Sequence, residues 1–162
     1  MISIEPYHIK HFEALSSYEL NEQQAVFALV PKYILDNPTI MENTLRTQFT
    51  ILYNEEPVGL FSLDLSEDRL IYTDNLASIL LRAFSIMPEH QGKGIAKSTM
   101  LALPDLIQKY YPEVDEVVFG VNYENELAYN LYLKTGYDDS GKTYQGIKGP
   151  QHCMIKKLKQ PY

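Results

Sequence analysis

The chain has 162 residues and a formal net charge of −7, with 45% hydrophobic and 22% charged residues; this composition fits one globular domain over residues 1–162 and excludes a disordered chain. The acidic balance, with a pI of about 5.0, opposes attraction to nucleic acid or an anionic membrane, because holding phosphates needs clustered Lys and Arg. It favours cationic partners such as amines.

Cys153 stands alone and cannot form an internal disulfide, which suits a reducing compartment. It lies beside His152, but adjacent strand residues point to opposite faces, so the pair reads as a free thiol in a C-terminal strand. The N-terminus shows no basic-then-apolar signal pattern, and no run approaches the roughly 18 apolar residues of a membrane span. His8, His11, His90 and His152 have no metal-ligand spacing. The expectation is a cytoplasmic protein that uses no metal, nucleic acid or membrane.

In chain order, Ile2 and Ile4 alternate with polar residues and Pro6 ends a first strand. Residues 8–29 read as one or two helices stopped by Pro31, and residues 39–47 as a further helix. Residues 49–53 and 58–65 form a hairpin around a turn at Asn54-Glu55-Glu56-Pro57. Residues 78–86 make a long apolar strand interrupted by Arg82 and closed by Pro88. A glycine-rich turn then opens a helix that runs to about Tyr110, with a bend expected at Pro104. Residues 116–121 form a strand and residues 125–135 a helix ended by Gly136. A final pair of strands follows, with Gly141, Gly146 and Gly149 marking turns. The fold class is α/β (α+β), its simplest architecture a mixed sheet with flanking helices and a strand-helix-strand unit at its centre.

The turn Gln91-Gly92-Lys93-Gly94-Ile95-Ala96 carries the chemistry. A helix start offers unpaired amides and about half a positive charge, and glycines let backbone approach an anion, so this turn can cradle a pyrophosphate. Lys93 and Lys97 add charge nearby. The P-loop pattern is absent and the Rossmann spacing fails after Gly94. By itself the turn also reads as purely structural.

Gln91, Gly94 and Ala96 match Gln/Arg-x-x-Gly-x-Gly/Ala, and residues 79–107 resemble the acetyl-coenzyme A motif of the GCN5-related N-acetyltransferase (GNAT) superfamily. Asn125-Glu126-Leu127-Ala128-Tyr129-Asn130-Leu131-Tyr132-Leu133-Lys134-Thr135-Gly136-Tyr137 is similar to that family's second signature, with Tyr137 in place of Phe. The two signatures cover about half the chain.

The resemblance implies a single N-acetyltransferase domain whose mixed, mostly antiparallel twisted sheet has a central parallel strand pair, residues 78–86 and 116–121, and flanking helices. Acetyl-coenzyme A would be the cosubstrate and a small amine the acceptor. Phe84, Ser85 and Ile86 would meet the pantetheine arm by their main chain. Gln91, Gly92, Lys93, Gly94, Ile95 and Ala96 would hold the pyrophosphate, and the Asn125 side chain would touch the cofactor. A backbone amide near Ile86 would stabilise the oxyanion. Tyr132 takes the family's position for the acid that protonates the departing thiolate; its alternative reading is an amphipathic core aromatic.

No base is assigned, since Glu89 and a water chain stand as equals. Glu13, Glu19, Glu22 and Asp36 read as a lure for a cationic amine or as solvated helix faces. Leu20-Asn21-Glu22-Gln23-Gln24 with Phe27 is loosely like bacterial polyamine acetyltransferases. A polyamine or other small amine is the leading acceptor, beside a peptide N-terminus, an amino acid and an amino-sugar antibiotic. The alternative from another class is a noncatalytic acetyl-coenzyme A sensor. Homodimers are common in the superfamily.

Overall fold

The computed structural model describes residues 1–20 and 30–158. The chain divides into two compact units, Met1–Asp64 with Arg82–Thr99, and Leu65–Leu81 with Met100–Tyr162. Among the described residues, no helix is long and apolar enough to cross a membrane.

The first unit starts with strand β1 (Ile2–Pro6), antiparallel to β2 (Arg46–Tyr53), which pairs with β3 (Glu56–Asp64). Among the described residues between β1 and β2 lie three short α-helices, α1 (Phe12–Ser16), α2 (Pro31–Leu35) and α3 (Pro38–Met41). Leu15, Ile34 and Leu60 are fully buried and gather Tyr18, Leu20, Leu35 and Met87 into one core cluster.

Pro31 opens α2: Val30 before it is extended, as proline demands, and the missing N–H costs nothing at a first helical position. Two expectations change here. The helix expected at 39–47 stops at Met41, because the Asn43 side chain accepts from the Leu45 amide in a turn and Arg46 already pairs with Asp64. The hairpin turn contains two residues rather than four. Asn54 and Glu55 sit at φ of 50° and 71°, the mirror-type turn that matches strand twist, and β3 therefore begins at Glu56. The part of the 8–29 expectation that falls on residues 21–29 lies outside the described residues; before them, a turn at Ile9–His11 leads into α1.

The second unit is built on β5 (Glu116–Asn122), β6 (Asp138–Gly146) and β7 (Gly149–Lys157). β7 runs antiparallel to both β5 and β6. The expected long strand, β4 (Ser78–Ile86), has its first residues here, and Ser78, Ile79 and Leu80 pair in parallel with Glu116, Val117 and Val118. Its later residues belong to the first unit, so the strand order is β1-β2-β3-β4-β5-β7-β6. The sheet is mostly antiparallel with one parallel pair, as expected.

Helix α4 (Ile95–Tyr110) also begins in the first unit and continues in the second, and α5 (Glu126–Lys134) follows β5. α4 passes through Pro104 without a break. Proline has no N–H for the carbonyl four residues back, which is that of Met100. The buried Tyr137 hydroxyl donates to that carbonyl at 2.7 Å and replaces the lost bond. Gly141 is not at a chain reversal; it lies inside β6, where the pairing shifts between Asp139 and Thr143.

Candidate functional site

β4 is regular until Ala83, which has a φ of 58°. A left-handed alanine inside a strand costs about 1–3 kcal/mol and persists only where its surroundings impose it. Here Ala83 packs on the core cluster. On one side of it Arg82 Nη1 donates to Asp64 Oδ2 at 2.9 Å; on the other the buried Tyr18 hydroxyl bonds Ser85 Oγ at 3.1 Å. Burial pushes the Tyr18 phenol up to about 12, so it stays a neutral partner.

The same stretch is pressed against β3. The Met87 amide donates to the Val58 carbonyl at 2.7 Å, and a Cβ on Gly59 would lie 2.6 Å from the Ser85 carbonyl oxygen. Main-chain groups alternate sides along a strand. Ser85 and Met87 therefore face β3, and the main chain of Phe84 and Ile86 faces away from it. Gly59→Ala would force a methyl into backbone that cannot give, and should lower stability by about 3 kcal/mol; a denaturant midpoint equal to wild type would refute this close approach.

After β4, a short turn at Pro88–His90 leads to Gln91, whose Nε2 donates to the Ile86 carbonyl at 3.1 Å and closes the loop. Gly92 and Gly94 both have a φ of 78°, and beyond each glycine and its chain neighbours no atom lies within 4 Å of where the Cβ would stand. Ser98 donates to the Gly94 carbonyl at 3.0 Å, the first bond of α4. The amides of Gly94, Ile95, Ala96 and Lys97 thus precede the helical ladder.

Helix starts usually attract Asp or Glu, yet the first turn of α4 has no acidic residue. Exposed Lys93 adds a cation, its Nζ 5.9 Å from the Tyr53 ring. A donor set of backbone amides beside two glycines, with no carboxylate of its own, fits a diphosphate. Glu89 is exposed on the turn before it.

In the second unit, Asn125 is the N-cap of α5, and its Oδ1 accepts from the Ala128 amide at 3.4 Å. Its oxygen has a structural duty whatever else it touches. Tyr132, on α5, is partly buried and meets Phe119 of β5 edge-on at 4.8 Å. Burial pushes its phenol up to about 12. Tyr129 and Tyr137 direct their hydroxyls to Asp139 and Met100, whereas the Tyr132 hydroxyl makes no hydrogen bond among the described residues. It is a protonated donor with its bond still to offer. Among the described residues, no group of three or more His, Cys, Asp or Glu could hold a metal.

The structure thus gathers Phe84 to Ala96 in one unit and Asn125 with Tyr132 in the other. Tyr18, Gly59 and Ala83 were not anticipated. An isolated glycine inside a strand pattern does signal close backbone approach, so Gly59 was open to detection. The acidic residues offered for amine attraction do not converge: Glu13 and Glu19 are exposed, Asp36 pairs with Lys32 at 2.6 Å, and Glu22 lies outside the described residues, as does most of the polyamine-like segment.

Comparison with known proteins follows the same lines. The family model described as "Acetyltransferase (GNAT) family" matches residues 11–137. An uncharacterized N-acetyltransferase of Bacillus subtilis (strain 168), YbbJ, is 35% identical over 151 residues, 93% of each chain. Among solved structures, the aminoglycoside acetyltransferase AAC(6')-Ib in complex with coenzyme A and kanamycin is similar in fold, with a TM-score of 0.78 at 17% identity over 97% of this chain and 95% of that one. The spermidine N-acetyltransferase of Vibrio cholerae, in complex with CoA and spermine, gives 0.73 at 15% identity over 97% and 95%.

Proposed function

The chain belongs to the acetyltransferase (GNAT) family and is an N-acetyltransferase; from that premise we propose that residues 1–162 act as one domain that moves the acetyl group of acetyl-coenzyme A to the primary amine of a small acceptor, a polyamine first among them. The observation that carries this reading is the bare start of α4, where two left-handed glycines and four amides outside the ladder leave room for a diphosphate.

In this proposal Gly92 to Lys97 hold the diphosphate by backbone N–H groups, and Gln91 keeps the loop closed by its bond to Ile86. The main chain of Phe84 and Ile86, turned away from β3, meets the pantetheine arm and a backbone amide there stabilises the oxyanion. Acetyl-coenzyme A supplies an activated thioester, which a neutral amine attacks without a covalent enzyme intermediate. An amine with a pKa near about 10.4 must first lose its proton. Tyr132 donates a hydrogen bond to the departing sulfur.

The net charge of −7 supports a cationic acceptor. The solved structures that resemble this chain include an enzyme bound to spermine and one bound to kanamycin, which supports a polyamine or amino-sugar class. We place the enzyme in the cytoplasm on its lone cysteine.

A thiol-release assay with acetyl-coenzyme A and a panel of spermidine, kanamycin, free amino acids and peptide N-termini tests the reading. Release with a small polyamine is the expected result. Binding of acetyl-coenzyme A with no release on any amine would instead favour a noncatalytic sensor.

A further inference from the structure

His152, on β7, is enclosed in a way that the reaction above does not use. Its ring is stacked between two tyrosines, Tyr123 with centroids 4.0 Å apart and planes 15° apart, and Tyr129 at 4.1 Å and 27°. Each tyrosine is fastened at its far end. The Tyr129 hydroxyl donates to Asp139 Oδ2 at 2.9 Å, and the Tyr123 hydroxyl bonds Thr143 Oγ1. The same Asp139 oxygen lies 3.0 Å from His152 Nδ1.

The irregularity in β6 makes this possible. Asp139 pairs with Met154 and Thr143 with His152, so the strand carries two more residues than its partner between these points. Gly141, at a φ of 86°, takes up the excess and donates its amide to Asp139 Oδ1 at 2.8 Å. A regular strand would not bring both Asp139 and Thr143 to the edges of one histidine.

Tyr123 lies just before the cap of α5, and Tyr129 lies inside it. A helix of nine residues is too short to hold its own setting in water, so its rotation is dictated by what grips it. Tyr132 is three residues beyond Tyr129 and so on the adjoining part of the same face. We propose that Tyr123, Tyr129, Asp139, Thr143 and His152 form a clamp that fixes the rotation of α5 and thereby positions the Tyr132 hydroxyl; the proposal rests on the role given to Tyr132 above. These are positioning residues and need not touch substrate.

Tyr129→Phe keeps shape and removes the anchoring hydroxyl, and Asp139→Asn keeps shape but removes the charge and one of the two acceptor oxygens. Both are tested in the full-length enzyme, alone and combined with Tyr132→Phe, with thermal unfolding as the fold control. Two readouts apply: the nuclear magnetic resonance signals of the Tyr132 ring, assigned by their loss in Tyr132→Phe, and thiol release with spermidine. The Tyr132 signals should move away from their wild-type positions while those of Tyr18 stay. Turnover should fall about tenfold with KM for acetyl-coenzyme A little changed, since small misplacements of a reacting group have large effects on rate. In the Tyr132→Phe background the clamp substitutions should cause no further loss.

Unmoved Tyr132 signals in both variants, or an equal loss of turnover with and without Tyr132, would overturn the clamp. Unchanged turnover in Tyr132→Phe itself would instead remove the role of Tyr132, and the ring signals would still decide whether the clamp sets α5.

Discussion

Tyr132→Phe should lower kcat by about 100-fold while leaving the dissociation constant for coenzyme A nearly unchanged. The phenol is partly buried, and its hydroxyl has no partner among the described residues. A phenol at about 12 facing a thiol near about 8.5 does not surrender its proton outright, because that transfer is uphill by roughly 5 kcal/mol. In the proposed mechanism Tyr132 therefore acts by donating a hydrogen bond to charge as it develops on sulfur. Bonds to charged groups contribute about 1.5–3 kcal/mol, which corresponds to about 10- to 100-fold in rate.

The pH dependence follows in sign. Raising a phenol's pKa favours its neutral form, so Tyr132 stays protonated from neutral pH to beyond the ordinary tyrosine value of about 10. Wild-type kcat should show no falling limb from Tyr132 across that interval, while activity rises with pH as the amine becomes neutral. Steady-state rates across that range, with binding calorimetry for the variant, check both statements. Wild-type turnover in Tyr132→Phe would leave the phenol as a core aromatic.

The second large effect is expected at the start of α4. Ala96→Asp puts a carboxylate in the first turn, where the helix dipole and the amides of Gly94 to Lys97 receive it. Helix stability should stay equal or rise by about 0.3–1 kcal/mol. Coenzyme A should bind about 100-fold more weakly. The new charge competes for the same amides and repels a diphosphate, and two like charges about 4 Å apart near a protein surface interact by about 4 kcal/mol. A folded protein that loses its ligand distinguishes an anion site from a structural turn.

The long strand at 78–86 was legible to the residue, because an apolar run interrupted by Arg82 met Pro88. The signature at 125–137 was legible as a capped helix ended by Gly136, whose φ is 96°. Other features left no local mark. Alanine carries no sign of the left-handed conformation that Ala83 adopts. Tyr18 and Ser85 are 67 residues apart, and only the fold brings their hydroxyls together.

Pro104 and Tyr137 were each visible, one as a helix breaker and one as a departure from the family's Phe. Their connection was not. The tyrosine hydroxyl serves the Met100 carbonyl that the proline leaves without its donor. His152 was legible only as a strand residue beside Cys153, because its partners come from other elements and from an irregularity in β6 that pairing rules do not forecast.

The account stands on backbone amides at one helix start gripping a diphosphate. Calorimetric titration of coenzyme A into the wild-type chain and into Ala96→Asp, side by side with their thermal unfolding, tests this most directly. The expected result is saturable binding by the wild type and a loss of about 100-fold in a variant that melts no lower. Equal affinity in the two proteins would contradict it.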